Sequence, residues 1–467
     1  MMKKQHIHLI GIGGTGLSAI ARVLLESGHS ISGSDKNYSP IMDSLKELGA
    51  KIFVGHESGQ IGNAELIIQS SAISQTNPEI LAAKEKGIPV LKRSDFMGKL
   101  FDDKIGIAFA GTHGKTTTTA MAAWVWAASR LKPSYIIGGK SNNLKNNAAS
   151  GKGEHFIIEA DEYDDMFLGL HPKTMVITNL EHDHPDYFPT FERYLESFKR
   201  FANNLSENGT AILCQDDRNT MSLFDVFNEN QNVLTYGTSK DSDYFADDLR
   251  LNTKGCYDFS VQYRSQDNIY SKLATISLKV PGKHNLLNAL AVFAAAHQNG
   301  LEPLIISSAL EEFSGTGRRF EIIGEIEKVI FIDDYAHHPS EIKATLQAAR
   351  ERFAGHRIWA VWQPHTFSRI KTLFNAFSTA FEPVDKVIIT DIFAAREKDD
   401  GFSSKSILEI IEHPSIQHIP ELEDVITSLE NNLSAGDVVL VLSAGDAVKI
   451  NTELIRKIKQ NGLSLSS

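Results

Sequence analysis

The sequence predicts an α/β protein of three domains. At 467 residues the chain is too long for a single hydrophobic core, and two to four domains are expected. Apolar runs of strand length alternate with helix-like segments along most of the chain, which is typical of α/β folds. Two glycine-rich turns, at 11–16 and 111–116, each open a separate strand–turn–helix unit. We therefore place the two turns in different domains.

Composition and charge exclude several classes of protein. Apolar residues make up 42% of the chain and charged residues 22%, as in ordinary globular proteins. The net charge of −11 and the lack of a long basic run argue against nucleic acid as a partner. No segment has the pattern of a secretory signal or of a membrane span, so we expect a cytoplasmic protein with no membrane partner. The two cysteines, Cys214 and Cys256, form no metal-ligand pattern.

The first glycine turn predicts a site for a diphosphate. The predicted strand at 6–10 is followed by the turn at 11–16, by a helix at about 17–27 and by a second strand, 30–34, that closes on Asp35. Glycines allow a backbone to approach a diphosphate closely, and an acidic residue about 20 positions later is typical of dinucleotide sites. NAD is the first hypothesis from this pattern alone. A nucleotide-linked substrate with its own diphosphate would use the same backbone donors.

The second glycine turn predicts a cradle for nucleotide phosphates. It follows an apolar run at 105–110 and precedes a helix-like run at 118–128. Backbone N–H groups of such a turn, and of the helix N-terminus after it, point at phosphate oxygens. Lys115 can then reach the β- and γ-phosphates, and the Thr116 hydroxyl can bind Mg²⁺. The usual eight-residue pattern has a glycine where this chain has Phe109, so the match is to a shortened loop.

Carboxylates and histidines follow the next two predicted strands of this second domain. The strand at 155–158 leads into an acidic run that begins at Glu159, where Mg²⁺ ligands are expected beside a phosphate loop. The strand at 174–178 leads into 179–186, which holds two histidines and three acids. Zn²⁺ prefers His and Cys ligands at defined spacing, and no further cluster of them is close in the sequence. A Mg²⁺ or substrate role for one histidine is therefore favoured over zinc.

Two asparagines of a predicted helix are candidates for an adenine site. Asn285 and Asn288 lie three residues apart on one helix face and could bind an adenine edge. N-capping or core hydrogen bonding is the simpler interpretation of these asparagines taken alone.

Glycines near 315 indicate a hinge into the last domain. Four predicted strands of that domain each end in polar residues, at 333–338, 363–369, 391–397 and 443–446. Because open α/β sheets bind ligands at the carboxyl ends of strands, we expect a site there.

Several short motifs occur in the same order as in one known family. They are Gly11 to Gly16, Ser70-Ser71-Ala72-Ile73, Gly111 to Thr117, Glu159-Ala160-Asp161-Glu162, Asp183-His184, His284-Asn285 with Asn288, Gly317 to Glu321, and Asp334-Tyr335-Ala336-His337-His338-Pro339. Across nearly the whole chain these motifs resemble the Mur ligases. The stretch from Asp334 to Pro339, together with Gln363-Pro364-His365, is the specific part of the resemblance.

The resemblance implies three α/β domains. They would be a Rossmann-like N-terminal domain at 1–103, a central P-loop ATPase domain with a mixed sheet at 104–315, and a Rossmann-like C-terminal domain at 316–467. The resemblance also implies ATP- and Mg²⁺-dependent joining of L-alanine to the lactyl carboxylate of UDP-N-acetylmuramate, through an acyl phosphate. The enzyme would serve peptidoglycan precursor synthesis in the cytoplasm, as a monomer or homodimer.

Roles for individual residues follow from the same resemblance. The Mg²⁺ ligands would be Thr116 and Glu159, and His184 would hold a second metal ion or the acyl phosphate. The residues that would bind ATP are Gly111, Thr112, His113, Gly114, Lys115, Thr116, Thr117, Asn285, Asn288, Arg319 and Asp334. The residues that would bind the UDP-substrate are Gly13, Gly14, Gly16, Asp35, Ser70 and Ser71. The amino-acid side would hold His337, His338, His365 and Arg369, and the catalytic residues would be Lys115, His184, Arg319 and His338.

Two departures and three alternatives stay open. Thr366 stands where many relatives have an arginine, so the sequence does not identify the group that holds the alanine carboxylate. Several Mur ligases use a carbamylated lysine, and we do not assign that role to Lys199. A member of the same superfamily attaches a recycled tripeptide to the same nucleotide substrate. An NAD-dependent oxidoreductase would leave the Lys115 loop and the Asp334–Pro339 stretch unexplained. A nucleotide-binding protein without activity would leave the intact catalytic set unexplained.

Overall fold

The computed structural model describes residues 3–265, 267–395, 397–398 and 401–461. Its strands form three sheets of five, ten and six strands, and each sheet takes its strands from one continuous stretch of the chain. The predicted α/β class and the three-part layout are therefore confirmed. The boundaries predicted at 103–104 and 315–316 stay predictions.

The first sheet is entirely parallel. Its strands are β1 His6–Ile10, β2 Ser30–Asp35, β3 Lys51–Val54, β4 Leu66–Gln69 and β5 Val90–Lys92. The helices around it are α1 Thr15–Glu26, α2 Ile41–Glu47, α3 Pro78–Glu85 and α4 Arg93–Phe101, with a 3₁₀ turn at Ser58–Ile61. The order is β3-β2-β1-β4-β5, so the direction of winding reverses at β1. The glycine turn at 11–16 leaves the sheet at this reversal, where open α/β sheets bind ligands.

The second sheet is mixed, as predicted. Its strands are β6 Ile105–Ala110, β7 Ser134–Ile136, β8 Ala148–Ala149, β9 His155–Glu159, β10 Thr174–Ile177, β11 Thr210–Cys214, β12 Asn232–Gly237, β13 Tyr244–Leu251, β14 Cys256–Arg264 and β15 Tyr270–Pro281. Its helices are α5 Lys115–Ala128, α6 Phe191–Ala202, α7 Arg218–Met221, α8 Lys283–Gln298 and α9 Pro303–Glu312, with 3₁₀ turns at Tyr163–Gly169 and Phe224–Val226. β6 lies between β9 and β10 and is parallel to both, while β13, β14 and β15 are antiparallel. The acidic stretches after β9 and β10 therefore flank the turn after β6.

The third sheet is parallel except at one edge. Its strands are β16 Glu321–Ile326, β17 Val329–Asp334, β18 Ile358–Trp362, β19 Lys386–Ile389, β20 Ile416–His418 and β21 Val438–Leu442. Its helices are α10 Pro339–Arg352, α11 Phe367–Thr372, α12 Lys405–Leu408, α13 Leu422–Asn432 and α14 Lys449–Asn461, with a 3₁₀ turn at Phe374–Phe377. The order is β16-β17-β21-β18-β19-β20, with only β16 antiparallel to its neighbour. The four polar stretches predicted at strand ends thus lie along one edge of this sheet, apart from residue 396, which lies outside the described part of the chain.

Local capping sets the start of α10, which carries two side chains of the site. The His338 ring accepts a hydrogen bond from the Ser340 N–H at 3.3 Å, and the Glu341 carboxylate accepts one from the His338 N–H at 3.5 Å. This reciprocal arrangement is a capping box, which satisfies N–H groups that the helix itself leaves free. It holds His338 and Glu341 in a constant relation to each other.

The first helix begins earlier than the sequence predicts. α1 begins at Thr15 rather than Leu17, because the extended Gly14 backbone already serves as the N-cap. α14 runs to Asn461, and residues 462–467 lie outside the described part of the chain. Among the residues that the structure describes, none of the helices combines the length and apolar character needed to cross a bilayer.

Candidate active site

The turn after β6 requires glycine at two positions. Gly111 has φ of 130°, and a Cβ there would lie 2.2 Å from the Thr178 hydroxyl oxygen. Gly114 has φ of 81°, and a Cβ there would lie 2.7 Å from Oδ1 of Asn288. Both backbone conformation and space therefore exclude larger residues. The turn is held against α8, which carries the asparagine predicted to bind adenine.

Lys115 lies folded over this turn. Its ammonium donates to the carbonyl oxygens of Gly111 and Thr112 at 2.6 and 3.0 Å and to the Glu162 carboxylate at 2.9 Å. Burial lowers the pKa of Lys115, but the charge and hydrogen bond of Glu162, together with the charges of Asp161 and Glu159, outweigh burial and raise that pKa above its ordinary value. Lys115 thus carries a positive charge at the turn. Glu162, which also accepts from the Tyr194 hydroxyl at 3.2 Å, is a partner that the sequence did not single out.

Two of the three residues predicted to bind metal, Thr116 and Glu159, are hydrogen-bonded to each other, and the third, His184, is not part of that pair. The Thr116 hydroxyl donates to Oε1 of Glu159 at 2.8 Å, and Oε2 of Glu159 accepts from the Gly138 N–H. Burial raises the pKa of Glu159. His184 has φ of 54°, and its Nε2 lies 3.8 Å from Oε1 of Glu162, the carboxylate that also holds Lys115. The role of the three residues as metal ligands stays a prediction.

A cavity of about 280 Å³ lies between the second and third domains. Seven of the residues predicted to bind ATP line it, namely His113, Gly114, Thr117, Asn285, Asn288, Arg319 and Asp334. Asn285 donates to the Pro281 carbonyl at 2.7 Å and Asn288 donates to Oδ1 of Asn285 at 3.2 Å. The asparagines therefore make the core hydrogen bonds of the simpler interpretation and also border the cavity. His284 and Tyr236 line it too, and the sequence did not predict them for this place.

Arg319 and Asp334 reach this cavity from the third domain. The Asp334 carboxylate accepts from the Phe320 and Ala336 N–H groups, each at 2.7 Å, so it braces the backbone beside Arg319. Burial raises the pKa of Asp334 to about 6. The Arg319 guanidinium donates to Oε1 of Glu341 at 3.2 Å and lies 5.1 Å from the Tyr335 ring centre. Asp334 thus acts on the position of Arg319.

Most of the residues predicted for the amino-acid side lie together. Arg369 is buried and donates from Nε and Nη2 to Oδ1 of Asp183, at 2.9 and 2.8 Å. Its Nη1 lies 3.0 Å from Nδ1 of His365, whose ring centre is 5.8 Å from that of His337. Burial and the Arg369 charge lower the pKa of His337 to about 3, so this ring is neutral. Thr366 has φ of 63° and is the N-cap residue of α11, and its N–H donates to the Phe393 carbonyl at 3.0 Å.

His338 points away from that group, toward the phosphate turn. Its ring centre lies 4.6 Å from that of His113, and its Nδ1 lies 3.4 Å from Oε2 of Glu181. His113 lies between two carboxylates, with Nε2 2.9 Å from Glu181 and Nδ1 3.4 Å from Glu341. Burial lowers the pKa of His113, but hydrogen bonds to both carboxylates outweigh it and raise that pKa to about 9. Glu341 was missed because it meets His113 across the domain junction and Arg319 from 22 residues away; its position three residues after the cap of α10 was the only local signal.

The first glycine turn opens on a second cavity at the junction of the first two domains. The Gly13 N–H donates to Asp35 at 3.0 Å, and a Cβ on Gly16 would lie 1.6 Å from a guanidinium nitrogen of Arg93. Ser70 follows β4 beside Gly11, and Ser71 is exposed. Glu159 and Asp161 line the same cavity as Arg93. Arg93 is a cation beside the predicted diphosphate site that the sequence did not single out.

Comparison with known proteins agrees with this geometry. Residues 6–105, 109–296 and 318–445 match the models described as "Mur ligase family, catalytic domain", "Mur ligase middle domain" and "Mur ligase, glutamate ligase domain". The chain is 39% identical over 462 residues to the UDP-N-acetylmuramate--L-alanine ligase of Caldanaerobacter subterraneus subsp. tengcongensis, covering 98% of this chain and 99% of that protein. The chain belongs to the Mur ligase family. The enzyme of the same description from Acetivibrio thermocellus is 41% identical over 466 residues, covering 98% of this chain and 97% of that protein.

Solved structures of Mur ligases share the fold. A UDP-N-acetylmuramate-alanine ligase, MurC, from Thermotoga maritima superposes with a TM-score of 0.79 at 29% identity, covering 98% of this chain and 99% of that one. A murein peptide ligase from Psychrobacter arcticus superposes with a TM-score of 0.70 at 24% identity, covering 97% of this chain and 98% of that one. The second likeness bears on the fold alone.

Asp183→Asn should release the third domain of this Mur ligase. The substitution keeps the side-chain shape but leaves the buried Arg369 charge without its partner, and breaking a buried ion pair in this way costs about 3–5 kcal/mol. We expect a larger radius of gyration in small-angle scattering and faster proteolysis near 313–317. Glu382→Gln, which removes the exposed partner of Lys343, is the matched control and should change neither measurement. An unchanged radius for Asp183→Asn would show that the pair does not hold the domains.

His113 should make stability fall at alkaline pH. Its pKa in the folded protein, about 9, lies above the ordinary 6.5, so its contribution is complete below pH 6.5 and is lost as pH rises through about 9. The loss amounts to at most about 3 kcal/mol. We expect the urea midpoint, followed by tryptophan fluorescence, to decrease over this interval and His113→Gln to flatten the decrease. His171→Gln, at an exposed histidine of the same domain, should leave the slope as it is. An equal slope in His113→Gln would contradict this assignment.

Proposed function

We propose that this Mur ligase joins L-alanine to UDP-N-acetylmuramate with the use of ATP, through an acyl phosphate. The observation that carries the proposal is the position of Glu159, which lines the same cavity as the first glycine turn and Arg93 while it hydrogen-bonds to Thr116 of the phosphate turn. A diphosphate-type site and a phosphoryl-transfer site thus share one boundary. This is the arrangement required to bring a nucleotide-linked carboxylate to a γ-phosphoryl group. We place the reaction in the cytoplasm, as a step of peptidoglycan precursor synthesis.

The charges around the phosphate turn suit this chemistry. The substrate carboxylate attacks the γ-phosphorus, an O–P bond forms and ADP leaves, so two anions must approach each other. Lys115 at the turn and Arg319 across the cavity supply positive charge on two sides of that point. In the protein without substrates, Glu341 holds the Arg319 guanidinium and Glu162 holds the Lys115 ammonium. Such preorganised charge is the main means by which enzymes stabilise phosphoryl transfer.

Mg²⁺ fits the residues that we assign to it. The Thr116 hydroxyl and the buried Glu159 carboxylate are oxygen donors 2.8 Å apart, which suits a hard cation that keeps most of its waters. When bound, Mg²⁺ would neutralise charge on the phosphate oxygens. The Nε2 atom of His184 lies 3.8 Å from Glu162, the carboxylate that holds Lys115, and we assign His184 to the acyl-phosphate side.

The amine would enter from the third domain. In the second step the alanine nitrogen attacks the acyl carbon, the C–O bond to phosphate breaks, and one proton leaves the nitrogen. The departing phosphate, which gains negative charge as the C–O bond breaks, takes up that proton. The neutral His337 ring has Nδ1 3.0 Å from the Tyr335 carbonyl, so Nδ1 donates there, and Nε2, 4.0 Å from Oδ2 of Asp183, carries the lone pair of the ring. His365 and Arg369 lie beside it and are the donors that we assign to the alanine carboxylate, because Thr366 carries no charge.

The tripeptide-attaching member of the superfamily is the alternative for the acceptor amine. The relatives above that match over nearly the whole chain are named as L-alanine ligases, which favours alanine. An NAD-dependent oxidoreductase is not favoured, because Lys115 and the residues that contact it would have no role in such a reaction.

Lys115→Ala should abolish turnover and spare substrate binding. The variant removes the cation nearest the phosphates, and loss of one such donor costs about a hundredfold or more in rate. Phosphate release measured with UDP-N-acetylmuramate, ATP and L-alanine should fall accordingly. Calorimetric binding of UDP-N-acetylmuramate should persist, because its site lies on the first domain. Lys152→Ala, at an exposed lysine of the central domain, is the matched control and should behave as the parent. Parent-like turnover in Lys115→Ala would contradict the mechanism.

The acceptor is tested by offering both amines. Purified protein with UDP-N-acetylmuramate and ATP should form product with L-alanine and much less with L-alanyl-γ-D-glutamyl-meso-diaminopimelate, as measured by mass spectrometry. Preference for the tripeptide would replace alanine with the alternative. Binding of NADH without either product would return the first glycine turn to a dinucleotide role.

A further inference from the structure

His113, Glu181 and His338 form a compact set of metal-binding side chains. One ligand atom from each lies within 4.8 Å of the other two. His113 belongs to the phosphate turn, Glu181 follows β10, and His338 caps α10 of the third domain. The sequence disfavoured zinc because it lacked a neighbouring histidine or cysteine cluster. The fold supplies that cluster from residues 68 or more positions away in sequence.

The hydrogen bonds outside the cluster determine which ring nitrogens face inward. Nδ1 of His113 lies 3.4 Å from the Glu341 carboxylate, and a carboxylate only accepts, so this nitrogen carries a proton. Nε2 of His338 lies 3.3 Å from the His182 carbonyl oxygen, so this nitrogen also carries a proton. Nε2 of His113 and Nδ1 of His338 are left facing Glu181.

A metal ion would replace the proton with which Nε2 of His113 donates to Glu181, and three electron-pair donors would then converge on one point. Oε2 of Glu181 lies 2.9 Å from Nε2 of His113 and 3.4 Å from Nδ1 of His338. Without a positive centre among them these atoms repel each other. A proton on His113 relieves only the first contact, and the Ser340 N–H meets Nδ1 of His338 at a long 3.3 Å. A divalent cation would satisfy all three atoms at once.

We propose that His113, Glu181 and His338 bind a divalent transition-metal ion, with Zn²⁺ as the best fit. Two imidazole nitrogens and one carboxylate oxygen are the ligand set of many three-ligand zinc sites and are poor ligands for Mg²⁺. The outer contacts support the assignment, because a carboxylate on the remote nitrogen of a histidine and a backbone carbonyl on another are the usual supports of metal-bound rings. This site is separate from the oxygen pair of Thr116 and Glu159.

The position of the site gives it a structural consequence. Two ligands belong to the central domain and one to the third, so a bound ion would tie the two domains in the closed arrangement. His113 and Glu181 also line the nucleotide cavity, which leaves the fourth position of the ion open to water or a phosphate oxygen. By thermodynamic linkage, a ligand that closes the domains should increase the affinity for the metal by a certain factor. The metal should then increase the affinity for that ligand by the same factor.

Co²⁺ substitution tests the site directly. The full-length protein, freed of metal by chelation and held in excess Mg²⁺ to occupy oxygen sites, is titrated with Co²⁺ and then with Zn²⁺. We expect the intense visible absorption of four-coordinate Co²⁺, saturating at one equivalent and lost on addition of Zn²⁺. Weak absorption of octahedral type, or no saturable binding, would overturn the proposal.

Three variants locate the ion. His338→Asn removes the imidazole while asparagine still caps α10, and it should weaken Co²⁺ binding at least about tenfold. Glu181→Gln keeps a hydrogen-bonding group near His113 and should also weaken binding, which guards against loss of folding in the first variant. His184→Asn, at the histidine assigned to the acyl-phosphate side, is the matched control and should keep the spectrum. Retention of the spectrum in both His338→Asn and Glu181→Gln, or its loss in His184→Asn, would place the ion elsewhere.

Discussion

The buried ion pair between Asp183 and Arg369 is the contact on which the site depends. Each charge removed from water costs about several kcal/mol, and only a close, well-oriented partner offsets that cost. Here both side chains are buried and the guanidinium contacts one carboxylate oxygen through two nitrogens. Because Asp183 follows β10 of the central domain and Arg369 lies in α11 of the third, the pair stabilises only the closed arrangement of those domains. Arg319, Asp334 and His338 border the phosphate turn as a result.

The same rule of paired charge extends through the whole junction. Lys115 lies against Glu162, Arg319 against Glu341, and His113 between Glu181 and Glu341. Each cation that we assign to the triphosphate is thus held by a carboxylate in the protein alone. A nucleotide must exchange places with some of these carboxylates, so its phosphates gain contacts that are already desolvated and oriented. The cations need little reorganisation when charge develops in the reaction, which is the condition for strong electrostatic stabilisation.

Local features of the site were predictable from sequence, and contacts between domains were not. The glycine turns, the strand-end carboxylates and the Asn285–Asn288 face depend on spacing within one unit, and the structure shows them where the pattern predicted. Arg93 was missed because it meets its partners across a domain junction, and Glu341 because it meets His113 across such a junction and Arg319 from 22 residues away, so no local period marks them. The start of α1 was misplaced by two residues, since helix ends depend on cap geometry that composition indicates only loosely.

The proposed zinc site is another feature that depends on contacts between domains and is not visible in the spacing of residues along the chain. Spacing along the chain counts only neighbours, and by that measure the histidines at 182 and 184 had too few companions. In three dimensions His182 contributes only its carbonyl oxygen, as the acceptor that sets the proton on His338, while His113 and His338 arrive from elsewhere. The donor set therefore exists only when the third domain is closed on the central one. A metal site of this kind reports domain closure through its own assembly, because opening the domains removes His338 and leaves two ligands that hold an ion weakly.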